Sequence, residues 1–175
     1  MKKISKFLSI ILAIMMVVST IPITSFGATI GVVDWEYTII SEEDKTAKLT
    51  KYLGSESDVV TPTEIDGYSV VSIGNRAFDE NDNIINVIIS EGVTSTGIQV
   101  FYGCDNLNSV SFPDGLETIS SGMFSYSPRI RMLLIPDSVT TIESAITLVC
   151  LYRLVVLYSG TEEQWSEINI ESGNS

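Results

Sequence analysis

A chain of 175 residues, 45% of them hydrophobic, has room for one compact domain and a leader. Its 22 acidic residues outnumber the 10 basic ones and give a formal net charge of −12 at pH 7. A surface of that sign repels nucleic acid and anionic membranes, so neither is expected as a partner.

The first segment, residues 1–27, is predicted to be a secretory signal peptide. It has three early lysines, a short apolar run over residues 7–18 and small residues before a cleavage point that fits best after Gly27. The apolar run is shorter than the roughly 20 residues that a spanning helix needs. We therefore expect no membrane insertion after cleavage. Loss of the three lysines leaves seven basic residues and a net charge of −15.

Residues 28–69 are predicted to form a β-hairpin-like N-terminal cap. Residues 37–40 and 47–52 are candidate strands around a turn at 42–45. Asp66-Gly67, between two further apolar runs, is a strong signal for a tight hairpin turn. This segment would cap the first coil of the following region and cover its edge.

Residues 70–158 repeat a pattern of 23 residues. A fourth copy, from about Val139, is degenerate, with Thr147 where Phe is expected and Arg153 where Leu is expected. A period of 23 lies within the roughly 20–29 residues of leucine-rich repeats, so we predict a solenoid of about four coils with a continuous core. Equivalent positions recur in four columns: Phe78, Phe101, Phe124; Ile84, Leu107, Ile130; Val87, Val110, Leu133; Ile89, Phe112, Ile135.

The last segment, residues 159–175, is predicted to be a short helical C-terminal cap. Thr161 suits the N-cap position, and acidic residues and Gln follow in the first turn. Trp165 is expected to pack on the last coil rather than to bind sugar, whereas Trp35 is either a cap residue or a mobile one. Two interpretations stay open for this segment: a short cap, or a truncated one in a fragment of a longer chain.

Several of these stretches resemble a known family. "SIGNRAF", "FYGCDNLNSVSFPDGLETI" and "LLIPDSVTTIE" are similar to leucine-rich repeats of the BspA type, which are common in exported and surface proteins of bacteria and some protists. The resemblance covers about residues 46–170. It implies a β-rich α/β repeat solenoid, and it implies adhesion or surface binding as the role.

No catalytic, cofactor or metal site is expected. The chain has no histidine, which removes Ser-His and Cys-His nucleophilic pairs and His-ligated zinc. Serine-hydrolase motifs and a phosphate-binding loop are missing as well. The acidic stretch 79–83 fails the EF-hand pattern, because Ile84 and Ser90 stand where Gly and Glu are required. We predict a protein that is not an enzyme and uses no cofactor.

The two cysteines, Cys104 and Cys150, lie two periods apart in one column, with Ser127 between them. Neighbouring coils stack at about 4.8 Å, which separates the cysteines by roughly 10 Å, beyond the ~7 Å limit for a disulfide. Two free thiols in a buried ladder are therefore expected. A shifted fourth coil would permit a disulfide instead.

The outward strand positions form a candidate interaction face. If Val110 and Phe112 point inward, the alternate side chains point outward, and these change from polar to apolar toward the C-terminus. An exposed apolar patch marks an interface, unless further chain or a neighbouring domain covers it; both alternatives stay open. The candidate face comprises Ile88, Arg129, Arg131, Met132, Leu134, Val155 and Leu157.

These features together predict a secreted, extracellular module, free or associated with the cell surface. It would bind an unknown protein or a surface glycan through its strand face. Two alternatives stay open: a structural spacer within a longer surface protein, or a carbohydrate-binding or carbohydrate-cleaving accessory that uses carboxylates and the two tryptophans.

Overall fold

The computed structural model describes residues 34–147 and 153–173. The predicted signal peptide and Cys150 lie outside these ranges. None of the helices within them has the length and apolar character needed to cross a membrane.

The described residues form short strands and one short helix. The strands are β1 (Trp35–Ser41), β2 (Thr46–Tyr52), β3 (Asp58–Val60), β4 (Glu64–Ile65), β5 (Tyr68–Ile73), β6 (Asn86–Ile88), β7 (Ser95–Thr96), β8 (Ser109–Ser111), β9 (Thr118–Ile119), β10 (Met132–Ile135), β11 (Thr141–Ile142), β12 (Val155–Tyr158) and β13 (Asn169–Ile170), and the helix is α1 (Glu162–Glu167).

Two hairpins open the described chain, and both were predicted. β1 and β2 pair antiparallel around the turn at residues 42–45. β4 and β5 pair antiparallel around Asp66 and Gly67, whose φ angles are 50° and 83°. A two-residue hairpin turn of this kind needs positive φ at both positions, and Asp-Gly supplies it at low cost. β2 also pairs in parallel with β5, which joins the two hairpins.

Two tyrosines form hydrogen bonds that link the two hairpins, each with the turn of the other hairpin. Tyr68 donates a hydrogen bond to Glu42 at 2.6 Å, and Tyr37 donates one to Asp66 at 2.6 Å. Lys45 pairs with Glu42 at 3.3 Å and lies 4.8 Å from the centre of the Tyr68 ring. The hydrogen bond from Tyr68 is the main reason that the pKa of Glu42 is lowered.

The front sheet consists of five parallel strands in the order β3-β6-β8-β10-β12. Val87 pairs with Val110, Val110 with Leu133, and Leu133 with Val156, so the 23-residue register is confirmed. β3 adds a fifth turn to the predicted four. Its Asp58 pairs with Asn86 across 28 residues, because the β4–β5 hairpin lengthens this coil, and a search for the 23-residue period therefore misses it.

A second wall of the coils is built from β2, β5, β7, β9, β11 and β13. β5 pairs in parallel with β7, and β11 pairs in parallel with both β9 and β13. β7 lies beside β9, where Ser120 donates a hydrogen bond to the carbonyl of Thr96 at 2.9 Å. We refer to these six strands as the rear wall.

A column of stacked phenylalanines runs through the core. Phe78, Phe101 and Phe124 are buried, and the ring centroids lie 4.8 Å apart in the first pair and 5.6 Å apart in the second. Trp35 contacts Phe78 edge-on at 5.2 Å and is itself 5% exposed, with Tyr52 packed against both rings. Trp35 is therefore a cap residue, which decides the alternative that the sequence left open.

The degenerate fourth copy keeps its register but buries less. Val156 and Tyr158 pair with their column partners Leu133 and Ile135, yet Val156 is 37% exposed. Arg153 is exposed, although the residues of its column in the preceding coils are buried. Thr147 and Arg153, the polar substitutions of this copy, thus belong to a coil whose core positions are more exposed than those of the preceding coils.

The C-terminal helix begins as predicted. Thr161 accepts a hydrogen bond from the Gln164 amide at 3.2 Å, and the Gln164 side chain accepts one from the Thr161 amide at 2.8 Å. This capping box satisfies two amides that a helix start leaves without partners. Trp165 packs against Tyr158 of β12 with ring centroids 5.2 Å apart, as expected from the sequence.

Cys104 is a buried free thiol, and Ser127 occupies its position in the next coil. The Cys104 thiol donates to the Phe78 carbonyl at 3.0 Å, and the Cys104 amide donates to the Ser127 hydroxyl at 3.1 Å. Burial raises the pKa of the Cys104 thiol to about 12. The predicted ladder is thus present at its two described positions.

We predict that Cys104 does not react with a thiol reagent in the folded protein. At pH 8 a thiol with a pKa of about 12 has only about one molecule in ten thousand as the reactive thiolate, and this one is buried as well. The Cys150→Ser variant isolates Cys104 for labelling with Ellman's reagent. Labelling is expected in urea and not in buffer; rapid labelling in buffer would contradict the buried position.

We predict that Phe101→Ala lowers the free energy of unfolding by about 3–5 kcal/mol, because it leaves a cavity between two stacked rings. Urea denaturation followed by circular dichroism measures the loss. Ile98→Ala removes an apolar side chain that is 49% exposed and should change stability by less than about 0.5 kcal/mol. A similar loss in both variants would show that the column is not a major source of stability.

Candidate interaction face

The pairing of the front sheet places its outward side chains in two rows. Neighbouring strands in a parallel sheet lie about 4.8 Å apart, so each row is a continuous strip of side chains. The first row consists of Asp58, Asn86, Ser109, Met132 and Val155, and the second row consists of Val60, Ile88, Ser111, Leu134 and Leu157.

The polar part of the first row is linked by its own hydrogen bonds. Asn86 donates through Nδ2 to Asp58 at 2.7 Å, and Ser109 donates to Asn86 Oδ1 at 2.7 Å. These side chains therefore satisfy one another without any partner. Asp58 was not predicted as part of this row, because residues 28–69 were expected to form the N-terminal cap rather than a coil.

The apolar part of both rows lies on β10 and β12. Met132, Leu134, Val155 and Leu157 are brought together there, and we refer to these four residues as the apolar patch. Val155 is 49% exposed, and the other three are partly exposed. Ile88 is 41% exposed but is separated from Leu134 by Ser111 of β8, so it does not adjoin the apolar patch.

Arginines adjoin the start of the two strands that carry the apolar patch. Arg129 and Arg131 precede β10 and are exposed, and the Arg129 guanidinium donates to the side-chain oxygen of Asn106. Arg153 precedes β12 and is exposed as well. From the sequence, Arg153 was recognised only as a degenerate repeat position and not as a member of the candidate face. Three of the seven basic residues that follow the leader thus lie beside one apolar surface.

Two side chains of the acidic stretch 79–83 accept hydrogen bonds from backbone amides. Asn81 accepts from the amides of Asn83 and Ile84 at 3.0 and 3.3 Å, and Asp82 accepts from the amide of Asp105 at 3.1 Å. Within the described ranges, His, Cys, Asp and Glu form no group of three that could hold a metal ion. The Asn81 amide oxygen and the Asp82 carboxylate therefore have a structural use, which is to fix this coil corner.

The repeat register on the front sheet is matched by a comparison with protein families. The family model of the BspA type leucine rich repeat region matches residues 55–151, in six copies, which is more than half of the chain. The chain belongs to the BspA-type leucine-rich repeat family. Leucine-rich repeat families are generally non-catalytic. No relative was found among curated proteins.

Solved structures of bacterial leucine-rich repeat proteins share the fold of this BspA-type chain. A protein from Bacteroides capillosus has a TM-score of 0.64 at 25% identity, with 73% of this chain and 95% of that one covered. The T. pallidum leucine rich repeat protein has a TM-score of 0.59 at 25% identity, with 73% and 63% covered.

A leucine rich cell surface protein from Faecalibacterium prausnitzii has a TM-score of 0.54 at 23% identity, with 78% of this chain and 41% of that one covered. At this identity the likeness concerns the fold. The BspA-type chain spans less than two thirds of the length of both the T. pallidum and the F. prausnitzii proteins.

We predict that Asn86→Ala lowers the free energy of unfolding by about 1–2 kcal/mol, because it removes two side-chain hydrogen bonds on the front sheet. Ser111→Ala is the matched control, since the Ser111 hydroxyl on the same face has no hydrogen bond to a described residue, and it should cost less than about 0.5 kcal/mol. Urea denaturation measures both variants. Equal effects would mean that the hydrogen bonds among Asp58, Asn86 and Ser109 add nothing to stability.

Proposed function

We propose that this chain is an extracellular, non-catalytic interaction module that binds a protein partner through the apolar patch of its front sheet. The observation that carries the proposal is the contrast within the first row. Asp58, Asn86 and Ser109 satisfy one another, whereas Met132 and Val155 continue the same row as exposed apolar surface.

The chemistry of the apolar patch favours a protein partner. Contiguous exposed apolar surface is a mark of interaction sites. Methionine adapts its shape to a partner, and arginine is enriched at protein interfaces because its planar guanidinium makes several hydrogen bonds. Met132 lies within the apolar patch, and Arg131 directly precedes it in the chain. The partner surface would be apolar with acidic groups at one side.

An extracellular location is supported by two independent features. Residues 1–27 have the pattern of a secretory signal peptide. The F. prausnitzii protein that shares the fold is described as a cell surface protein. Membership in a repeat family that is generally non-catalytic, together with a chain that lacks histidine, supports a binding role rather than an enzymatic one.

We predict that the double variant Met132→Ser/Leu134→Ser loses partner binding while the fold is kept. Burying such side chains stabilises a complex by about 1.5–3 kcal/mol each, so affinity should fall by at least about tenfold. The partner is identified by photocrosslinking on the surface of the source bacterium. The crosslinking residue replaces Ser111, which lies between the apolar patch and the hydrogen-bonded residues Asp58, Asn86 and Ser109. The affinity of the partner is then measured by calorimetry.

The matched control is Ile98→Ser, which removes a side chain that is 49% exposed and lies outside the front sheet. It should bind the crosslinked partner like the unmodified protein. If both variants keep the same partners and the same oligomeric state, the apolar patch is not an interface. The chain would then be better described as a spacer.

Location is tested by mass spectrometry of the native protein in the culture supernatant and the cell-wall fraction. We expect a mature chain that begins at residue 28. A full-length chain found only inside the cell would contradict the extracellular proposal.

A further inference from the structure

The rear wall contains a polar groove that is separate from the front sheet. Its volume is about 290 Å³. Its polar lining residues are Lys48 and Thr50 of β2, Ser72 of β5, Asn75, and Thr96 of β7. Gly74 and Gly97, which follow β5 and β7, also line the groove.

Two neighbouring coils have glycine at the same position of the groove lining. A Cβ on Gly97 would lie 2.3 Å from Asn75 Oδ1 and 2.4 Å from the Asn75 amide nitrogen, so no larger residue fits there. A Cβ on Gly74 would lie 3.1 Å from the Leu49 carbonyl oxygen. Glycine at these positions therefore allows the backbones of neighbouring coils to pack closely beside the groove.

The polar groups of the groove are mainly hydrogen-bond donors. Lys48 forms no ion pair with any residue in the described ranges, and its stem passes 3.8 Å from the Cβ position at Gly74. Asn75 Oδ1 accepts from the Ile98 amide at 3.0 Å, which fixes the side chain and leaves its NH₂ group to donate. The Ser72 hydroxyl accepts from Ser95 at 3.0 Å and still has its own proton to donate.

The charge of the groove is opposite to that of the chain. No carboxylate lines it, although 22 acidic residues are present in the sequence, and it contains one ammonium group. An ammonium beside neutral donors matches a ligand with one carboxylate. Hydroxyl groups donate and accept at once, which suits a ligand that carries hydroxyls of its own rather than a bare anion.

We propose that this groove binds a uronic acid residue of an acidic polysaccharide. Lys48 pairs with the sugar carboxylate, and Thr50, Ser72 and Asn75 bond to the ring hydroxyls. The volume of about 290 Å³ lies just below the range of about 300–1,000 Å³ that is usual for ligand pockets, which suits one sugar residue rather than a longer segment. This site uses no residue of the apolar patch, so it stands or falls independently of the proposed protein partner.

The test is a titration of the ¹⁵N-labelled chain, residues 28–175, with trigalacturonic acid, followed by the amide signals of Gly74 and Gly97. We expect saturable shifts at these two amides. The corresponding neutral galactose trimer should produce none at the same concentration. Titration with acetate distinguishes a free carboxylate from one carried by a sugar. If acetate binds as tightly as trigalacturonic acid, the groove is a simple anion site and the sugar assignment is wrong.

Lys48→Met should weaken trigalacturonate binding by about tenfold or more, because it removes the charged hydrogen bond. Lys51→Met is the matched control, since Lys51 is exposed on the same strand and does not line the groove, and it should leave affinity unchanged. Asn75→Asp keeps the acceptor for the Ile98 amide but adds a negative charge, so it should also abolish binding. Unchanged affinity in Lys48→Met, or no shift at Gly74 and Gly97 in the unmodified chain, would overturn the proposal.

Discussion

The structure depends on the stacking of each coil on its neighbours at a fixed register. From β6 onward a single coil has strands of two to four residues and cannot enclose its own apolar side chains. Parallel hydrogen bonding in the front sheet sets the interval, and the Phe78, Phe101 and Phe124 column then fills the space at the same interval. Because both requirements repeat every 23 residues, side chains at equivalent positions lie in rows across the coils.

The two candidate binding surfaces follow from this organisation in different ways. On the front sheet the rows are free to vary because the inward residues alone hold the sheet, so a row can begin with Asp58 and end with Val155. On the rear wall the groove lies beside Gly97, where the backbones of two coils approach too closely for a side chain. The apolar patch thus depends on which side chains lie in a row, whereas the groove lies beside a position that has no side chain.

The sequence predicted most of the fold because the fold is periodic. The columns, the Asp66-Gly67 turn and the Thr161 helix start each depend on local signals that a single sequence contains. The first coil was missed because the β4–β5 hairpin changes its length and no local signal marks Asp58 as a strand. The members of the candidate face were predictable from the alternation of inward and outward side chains along each strand. The separation of Ile88 from the apolar patch was not predicted. The Lys48 groove could not be predicted, since it depends on a distance between Asn75 and Gly97 that only the folded backbone defines.

The two tryptophans mark opposite ends of the described solenoid. Trp35 is buried against Tyr52 and Phe78 at the N-terminal cap, whereas Trp165 rests on Tyr158 of β12. Since the chain has no other tryptophan, each indole is a separate optical probe of its own end. In a solenoid whose coils contact only their neighbours, the ends can melt at different denaturant concentrations. Replacing either tryptophan by phenylalanine would leave a chain whose fluorescence follows one terminus alone, and the pair would show from which end the coils come apart.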